Sequence, residues 1–206
     1  MSEVIKQLTY SGTAGSPRIA VGLAQYNQNT LYDITTVFLG KQAPAKEHTQ
    51  VLNKYNLKWI YQEKKGKIDV LCYWRTAKTL SADNPSLVVI HGARNIPIAW
   101  LIKKKSKTQK ICIVHHGPVK EFASPVIRRF TRWAVKKADL NIAVVESVKK
   151  CLMDISHTTD DKTVPIITIP NGVNLQSYQD ASGQVLDTYK KKIKLCMTAV
   201  FTSQKD

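Results

Sequence analysis

The chain has 206 residues, 43% of them hydrophobic, which is enough for one α/β domain with a substantial core. No apolar stretch is long enough to span a bilayer, and Met1-Ser2-Glu3 leads straight into strand-like sequence without the basic start and apolar run of a secretory signal. The 31 Lys and Arg outnumber the 15 Asp and Glu to give a net charge of +16, and 13 basic residues against four acidic ones fall between Lys103 and Ile155, a balance that favours nucleic acid, an anionic membrane surface or a phosphorylated ligand as partner.

Strand and helix signals alternate along the chain. Val4 to Tyr10 reads as a strand, and residues 11–16 form a small-residue loop. Pro17 to Tyr26 follows as a helix, with Pro17 suited to its first turn. Tyr32 to Leu39 is a second strand, closed by Gly40. Glu47 to Tyr55 is a weak helix, Leu57 to Tyr61 a strand and Asp69 to Thr79 a helix. Leu87 to Ile90 is a short buried strand with His91-Gly92 at its end, and Ile96 to Lys104 is a helix whose basic tail complements its dipole. Ile111 to Val114 is a strand ending in His115-His116-Gly117-Pro118. Ser124-Pro125 caps a helix that runs to Ala138, Leu140 to Val145 is a strand, and Glu146 to Ile155 is a helix. Ile166 to Ile169 reads as a buried strand that Pro170 stops and Asn171-Gly172 turns. A further apolar strand, Ile193 to Phe201, begins some twenty residues later. The predicted organisation is a domain over 1–178, a linker over 179–192 and the first strand of a second domain over 193–206.

The alternation predicts βαβ units, a mainly parallel sheet and helices on both faces, with short apolar strands throughout. Ligands of such sheets bind beyond the carboxyl ends of the strands, which singles out residues 11–16, 91–94 and 115–118 and the segment after Val145. Gly12 and Gly15 allow close backbone approach next to a helix start, yet the loop is neither a Gly-x-Gly-x-x-Gly fingerprint nor a P-loop, so NAD and ATP fit poorly. His91 and His116 each sit at a strand end before a glycine, placed to hydrogen-bond or trade a proton with a ligand. Alternation lets only one of His115 and His116 face the cleft. A two-His metal site is possible, yet no Asp, Glu or Cys stands at a recognised metal-ligand spacing to complete it, and no Gly-x-Ser-x-Gly elbow supplies a serine nucleophile. Each of these features is equally open to a plain structural role.

The helix from Ser124 to Ala138 is amphipathic: Val126, Ile127, Phe130, Trp133 and Ala134 on one side, Arg128, Arg129, Arg132 and Lys136 on the other. With Lys103, Lys104 and Lys105 it makes a basic surface suited to anionic lipid head groups. Nucleic acid is the rival partner, but no helix-turn-helix spacing, zinc ligands or aromatic RNA-binding strand supports it. Cys72, Cys112, Cys151 and Cys196 form no Cys-x-x-Cys pair and read as reduced thiols, consistent with a cytoplasmic location and contact at the inner face of the plasma membrane.

In order and content these features resemble the N-terminal, acceptor-side domain of glycosyltransferase family 4. Gly15-Ser16-Pro17-Arg18-Ile19-Ala20-Val21-Gly22-Leu23-Ala24 is similar to the family's Gly-rich loop and first helix, with Ala14 and Pro17 in place of its second Gly and its Glu. Val114-His115-His116-Gly117 resembles the strand end and His that face the sugar, and Ile169-Pro170-Asn171-Gly172-Val173-Asn174 resembles the Ile-Pro-Asn-Gly-Val-Asp hinge. The resemblance implies a Rossmann-like half of a glycosyltransferase-B fold. It also implies transfer of a hexose, with retention, from a nucleotide-sugar to a glycan or lipid-linked acceptor in bacterial surface polysaccharide synthesis. No cofactor is implied beyond the nucleotide-sugar substrate.

On that reading His116 contacts the transferred sugar. Gly12, Gly15, Arg18, His91, His115, Gly117, Asn171 and Gly172 lie in the binding region, and Lys205 matches a donor-phosphate Lys. Ala199-Val200 stands where the family has Gly-Arg, and Val145 where it often has Ser. The expectation is therefore weak or no transfer by this chain alone, with a separate donor-domain chain as one partner and a homodimer through the 193–201 strand as another. The rival readings are a non-catalytic glycan- or subunit-binding module and a basic nucleic-acid-binding protein.

Overall fold

The structure is a computed structural model that describes residues 3–13, 15–27, 32–66, 69–117, 124–157 and 165–172. Among them, seven strands pair in parallel: β1 (Glu3–Tyr10), β2 (Tyr32–Gly40), β3 (Lys58–Glu63), β4 (Leu87–His91), β5 (Ile111–His115), β6 (Leu140–Ala143) and β7 (Ile166–Thr168). The helices are α1 (Ser16–Tyr26), α2 (Lys46–Lys54), α3 (Val70–Ser81), α4 (Ile96–Lys105), α5 (Pro125–Lys137) and α6 (Glu146–Ser156), with a short 3-10 turn at Ala93–Asn95. The chain separates into two compact units at Pro170/Asn171, inside the predicted Pro-Asn-Gly corner. The proposed linker 179–192, the strand 193–201 and the pairing of two copies through it lie outside the described residues.

The strand order is β3-β2-β1-β4-β5-β6-β7. The chain winds outward from β1 to β3, returns to the other side of β1, and winds outward again to β7. The direction reverses between β1 and β4, and a doubly wound sheet opens its ligand crevice at that reversal, beyond the carboxyl ends of the two strands. α1 and α2 pack on one face, over Val21, Ala24, Phe38 and Leu52. α3, α4, α5 and α6 pack side by side on the other, over the main core of Leu8, Val37, Leu80, Ile90, Ile113 and Leu152.

The strands are less uniformly apolar than their neighbours in sequence imply. β1 lies at the centre of the sheet yet buries Lys6, Gln7 and Thr9. Lys6 points to the α3 side, where its ammonium donates to Thr79 O (3.0 Å) and Ala82 O (2.8 Å) and pairs with Asp83 Oδ2 (2.9 Å). Its charge is thereby spent on two carbonyls at the C-terminal end of α3, of which Thr79 O also accepts the N–H of Ala82 at 3.4 Å. Gln7 and Thr9 point the other way, toward α1.

Several predicted boundaries shift. β6 ends at Ala143, not Val145: Val144 N makes the last bond to β5, at His115 O where β5 itself ends, and Val145 is the exposed residue before α6. β7 is an edge strand with Ile167 half-exposed, not a fully buried one. Ser124 occupies the N-cap position of α5, but its hydroxyl makes no capping bond. Val126 is 65% exposed on the first turn of α5, while Thr131, Ala134 and Val135 form the buried stripe. Among the described residues no helix is long and apolar enough to cross a membrane, and Cys72, Cys112 and Cys151 are free thiols.

Candidate functional site

Two βα corners meet at the reversal point. The first follows β1. Gly15 precedes α1 with φ 74°, a conformation that strains any residue with a Cβ, and Ser16 Oγ lies 3.2 Å from Thr9 Oγ1. A Cβ at Gly12 would meet the ring of Tyr10, an exposed side chain that would have to swing aside. Arg18 is exposed on the first turn of α1, among the N–H groups a helix start leaves open.

The second corner follows β4. Gly92, also at positive φ, donates its N–H to Val114 O (2.8 Å), and Asn95 Nδ2 donates to His91 O (2.8 Å). These two bonds clamp the end of β4 and fix where His91 stands. The ladder pairs His91 with Val114 and His115 with Ala143, so His115 is the last residue of β5 and His116 lies one step past it.

Within that frame His91 and His116 come together. Their rings stack with centroids 5.3 Å apart and planes 21° from parallel, and His91 Nδ1 lies 3.0 Å from His116 Nε2. The other nitrogen of His91, Nε2, lies 3.3 Å from Gln7 Oε1. Gln7 is anchored in turn, its Nε2 donating to Ala20 O of α1 and to Thr36 Oγ1 of β2, each at 2.8 Å. The site thus runs from α1 through β1 and β4 to the end of β5. His116 Nδ1 is buried and has no hydrogen-bond partner among the described residues.

Burial governs the protonation of this pair. Desolvation pushes His91 from the ordinary 6.5 down to about 3, and the neighbouring His116 pushes it the same way. Desolvation alone takes His116 down to about 4. At neutral pH both rings are uncharged and act as hydrogen-bonding groups, not as cations facing a phosphate.

His115 does not join them. It turns to the α5 side, where its Nε2 lies 3.0 Å from Asn141 Oδ1 and burial lowers it to about 4. Gly117 is buried beside the pair in sequence. Asn171 and Gly172 belong to the second compact unit, and Lys205 lies outside the described residues. Gln7, Asn95 and Asn141 are the polar residues that sequence reasoning passed over. Gln7 carried the clearest signal, as an amide in the middle of a central strand. Among the described residues no group of three His, Cys, Asp or Glu side chains is arranged to hold a metal ion.

The model of the glycosyltransferase family 4 domain matches residues 14–177, most of the chain and all but the first element of the sheet. The chain belongs to glycosyltransferase family 4. Solved structures similar to this family 4 domain include glycosyltransferases and a protein named as a UDP-N-acetylglucosamine 2-epimerase. A glycosyltransferase from Rickettsia africae superposes with a TM-score of 0.67 at 17% identity, over 87% of this chain and 46% of that one. HepE of Anabaena, solved in complex with UDP and glucose, gives 0.64 at 12% identity, over 85% and 46%. The lipopolysaccharide outer core galactosyltransferase WaaB gives 0.61 at 15% identity, over 84% and 46%. At these identities the likeness establishes the fold, a Rossmann-like half of the glycosyltransferase-B architecture. The family 4 domain spans about half the length of the structures it matches. No curated protein sequence matches it.

Proposed function

We propose that this domain forms the acceptor-side wall of a cleft in which a hexose passes, with retention, from a nucleotide-sugar to a glycan or lipid-linked acceptor of bacterial surface polysaccharide synthesis. The observation that carries the reading is the stacked His91–His116 pair at the reversal point of the sheet in a family 4 domain. An uncharged imidazole there suits the hydroxyls of a sugar better than the charges of a diphosphate. HepE with UDP and glucose, a structure of the same fold, supports a nucleotide-sugar as donor. His116 is the residue assigned to the transferred sugar. The corner of Gly12, Gly15 and Arg18 is assigned to the acceptor or donor phosphates, and Gly117 to close approach beside His116.

The acceptor's lipid would bring the domain to an anionic membrane. Val70, Leu71 and Trp74 on the first turns of α3 and Val126 at the start of α5 are exposed, on helices that flank α4 on one face of the sheet. Exposed Arg128 and Arg129 continue that surface, and Lys78 and Lys104 lie over the rings of Trp74 and Trp100 at 5.9 and 5.1 Å. Two of the expected basic residues are committed elsewhere. Lys103 pairs with Asp139 at 2.8 Å, and Arg132 Nε donates to Ile155 O at 3.0 Å.

The test is saturation-transfer NMR on the full chain with free hexoses and UDP-hexoses. The expected result is sugar-proton contacts that His116→Ala weakens by about tenfold, the scale of one lost hydrogen bond of about 1.4 kcal/mol. Wild-type chain that binds no sugar at all would overturn the reading.

A further inference from the structure

The chain of hydrogen bonds behind His116 has a direction. Ala20 O is a main-chain carbonyl and only accepts, so the Gln7 atom 2.8 Å from it is the amide nitrogen. That places the Gln7 oxygen against His91 Nε2. An amide oxygen only accepts, so His91 carries its proton on Nε2. His91 is wholly buried, and no carboxylate among the described residues hydrogen-bonds to it. Its ring therefore holds one proton and presents a lone pair at Nδ1. His116 Nε2, 3.0 Å away, must donate to that lone pair. One proton is then accounted for on each ring, and the remaining nitrogen of His116, the buried Nδ1 that has no partner among the described residues, is an acceptor.

We propose that Gln7 is a positioning residue that locks His116, through His91, as the tautomer protonated on Nε2, so that the site presents an Nδ1 lone pair and selects hydroxyl donors over phosphate oxygens. A lone pair repels an anionic oxygen, which has no proton to share, and welcomes a sugar hydroxyl. A buried acceptor left unpaired costs about 1–3 kcal/mol, and a donated hydroxyl recovers part of that. The unsatisfied atom thus becomes a source of discrimination. Without Gln7, the opposite tautomer pair, with His91 Nδ1 donating to His116 Nε2, satisfies the inter-ring bond equally well. His116 would then carry its proton on Nδ1 and invert its preference. The choice of hydroxyl ligand rests on the sugar-cleft reading above; the tautomer lock does not.

Long-range nitrogen–proton correlation spectra of the full chain, labelled at its five histidines, read each ring's tautomer at pH 7. The expected result is Nε2-protonated rings for both His91 and His116. A His116 proton on Nδ1 overturns the proposal with the wild-type chain alone. Gln7→Leu is expected to give a mixture of tautomers at His116. A folded Gln7→Leu chain with an unchanged His116 spectrum overturns the role of Gln7; if that variant does not fold, Gln7→Met, which fills the same volume without an acceptor oxygen, is read in its place, and the wild-type tautomer decides the rest. In the same spectra D-glucose is expected to move the His116 Nδ1 resonance upfield, and dimethyl phosphate, an anion with no P–OH proton, to leave it in place. The reverse response overturns the selectivity. No response to glucose beside the expected tautomers removes the sugar reading and leaves the lock standing.

Discussion

Three histidines held neutral by burial couple this fold to pH. His91, His115 and His116 fall from the ordinary 6.5 to about 3, 4 and 4, with desolvation the leading cause in each. As pH drops below about 6.5, the unfolded chain takes up protons that the folded chain refuses. The stability these rings contribute is whole above that pH and drains away as pH falls toward about 4, by up to about 1.4 kcal/mol per ring for each pH unit. Urea denaturation is therefore expected to show a midpoint that declines steadily between pH 7 and pH 5. A flat midpoint over that interval would mean that the rings accept protons while the chain is folded. Cys112, pushed up to about 12 by burial, stays a thiol across the same range and adds nothing to the slope.

At the scale of elements, β1 is organised by two adjacent polar residues that serve opposite faces. Gln7 supports the histidine pair, and Lys6 closes the end of α3. The ammonium has three acceptors, two carbonyls and a carboxylate, and the carboxylate of Asp83 is 77% exposed. Water screens that ion pair, so the carbonyl bonds are the larger share. Lys6→Met is expected to lower the unfolding free energy by about 1–3 kcal/mol and Asp83→Asn by less than about 1 kcal/mol, both read from urea curves. Equal losses would move the weight to the ion pair. These two residues also mark the limit of what the sequence discloses. The seven strands and six helices among the described residues are signalled by apolar runs and apolar periods, the strands because helices cover both faces of the sheet and the helices because each buries one face, and residue spacing is local information. The ends of β6 and the exposure of Val126 and Ile167 depend on what lies beside an element, which spacing does not encode. The histidines were readable as strand-end residues before glycine. Their pairing was not, because it depends on the β4–β5 register and the bond from Gly92 N to Val114 O, which set His91 beside the end of β5.

At the scale of the whole molecule, the doubly wound order does two things. It gathers the corners after β1 and β4 at one edge, and it sets α3, α4 and α5 side by side so that their outer surfaces form one face. The first turns of α3 and α5 follow the carboxyl ends of β3 and β5, so Leu71, Trp74 and Val126 lie toward the same edge of the sheet as His91 and His116. A domain lying on a bilayer by this face would hold its histidine edge near the surface, within reach of a lipid-linked acceptor. Apolar side chains that enter the head-group region and arginines that meet its charge make separable contributions. Leu71→Ser with Trp74→Ala is expected to weaken co-sedimentation with phosphatidylglycerol-containing vesicles by about tenfold or more, given about 25 cal/mol for each Å² of apolar surface withdrawn from water. Arg128→Gln with Arg129→Gln is expected to cost about 2 kcal/mol on the same vesicles, at about 1 kcal/mol per basic residue near the surface. That second loss should vanish on uncharged phosphatidylcholine and shrink as salt shortens the Debye length. Binding that ignores lipid charge, or survives both pairs of substitutions, would place the membrane face elsewhere on the domain.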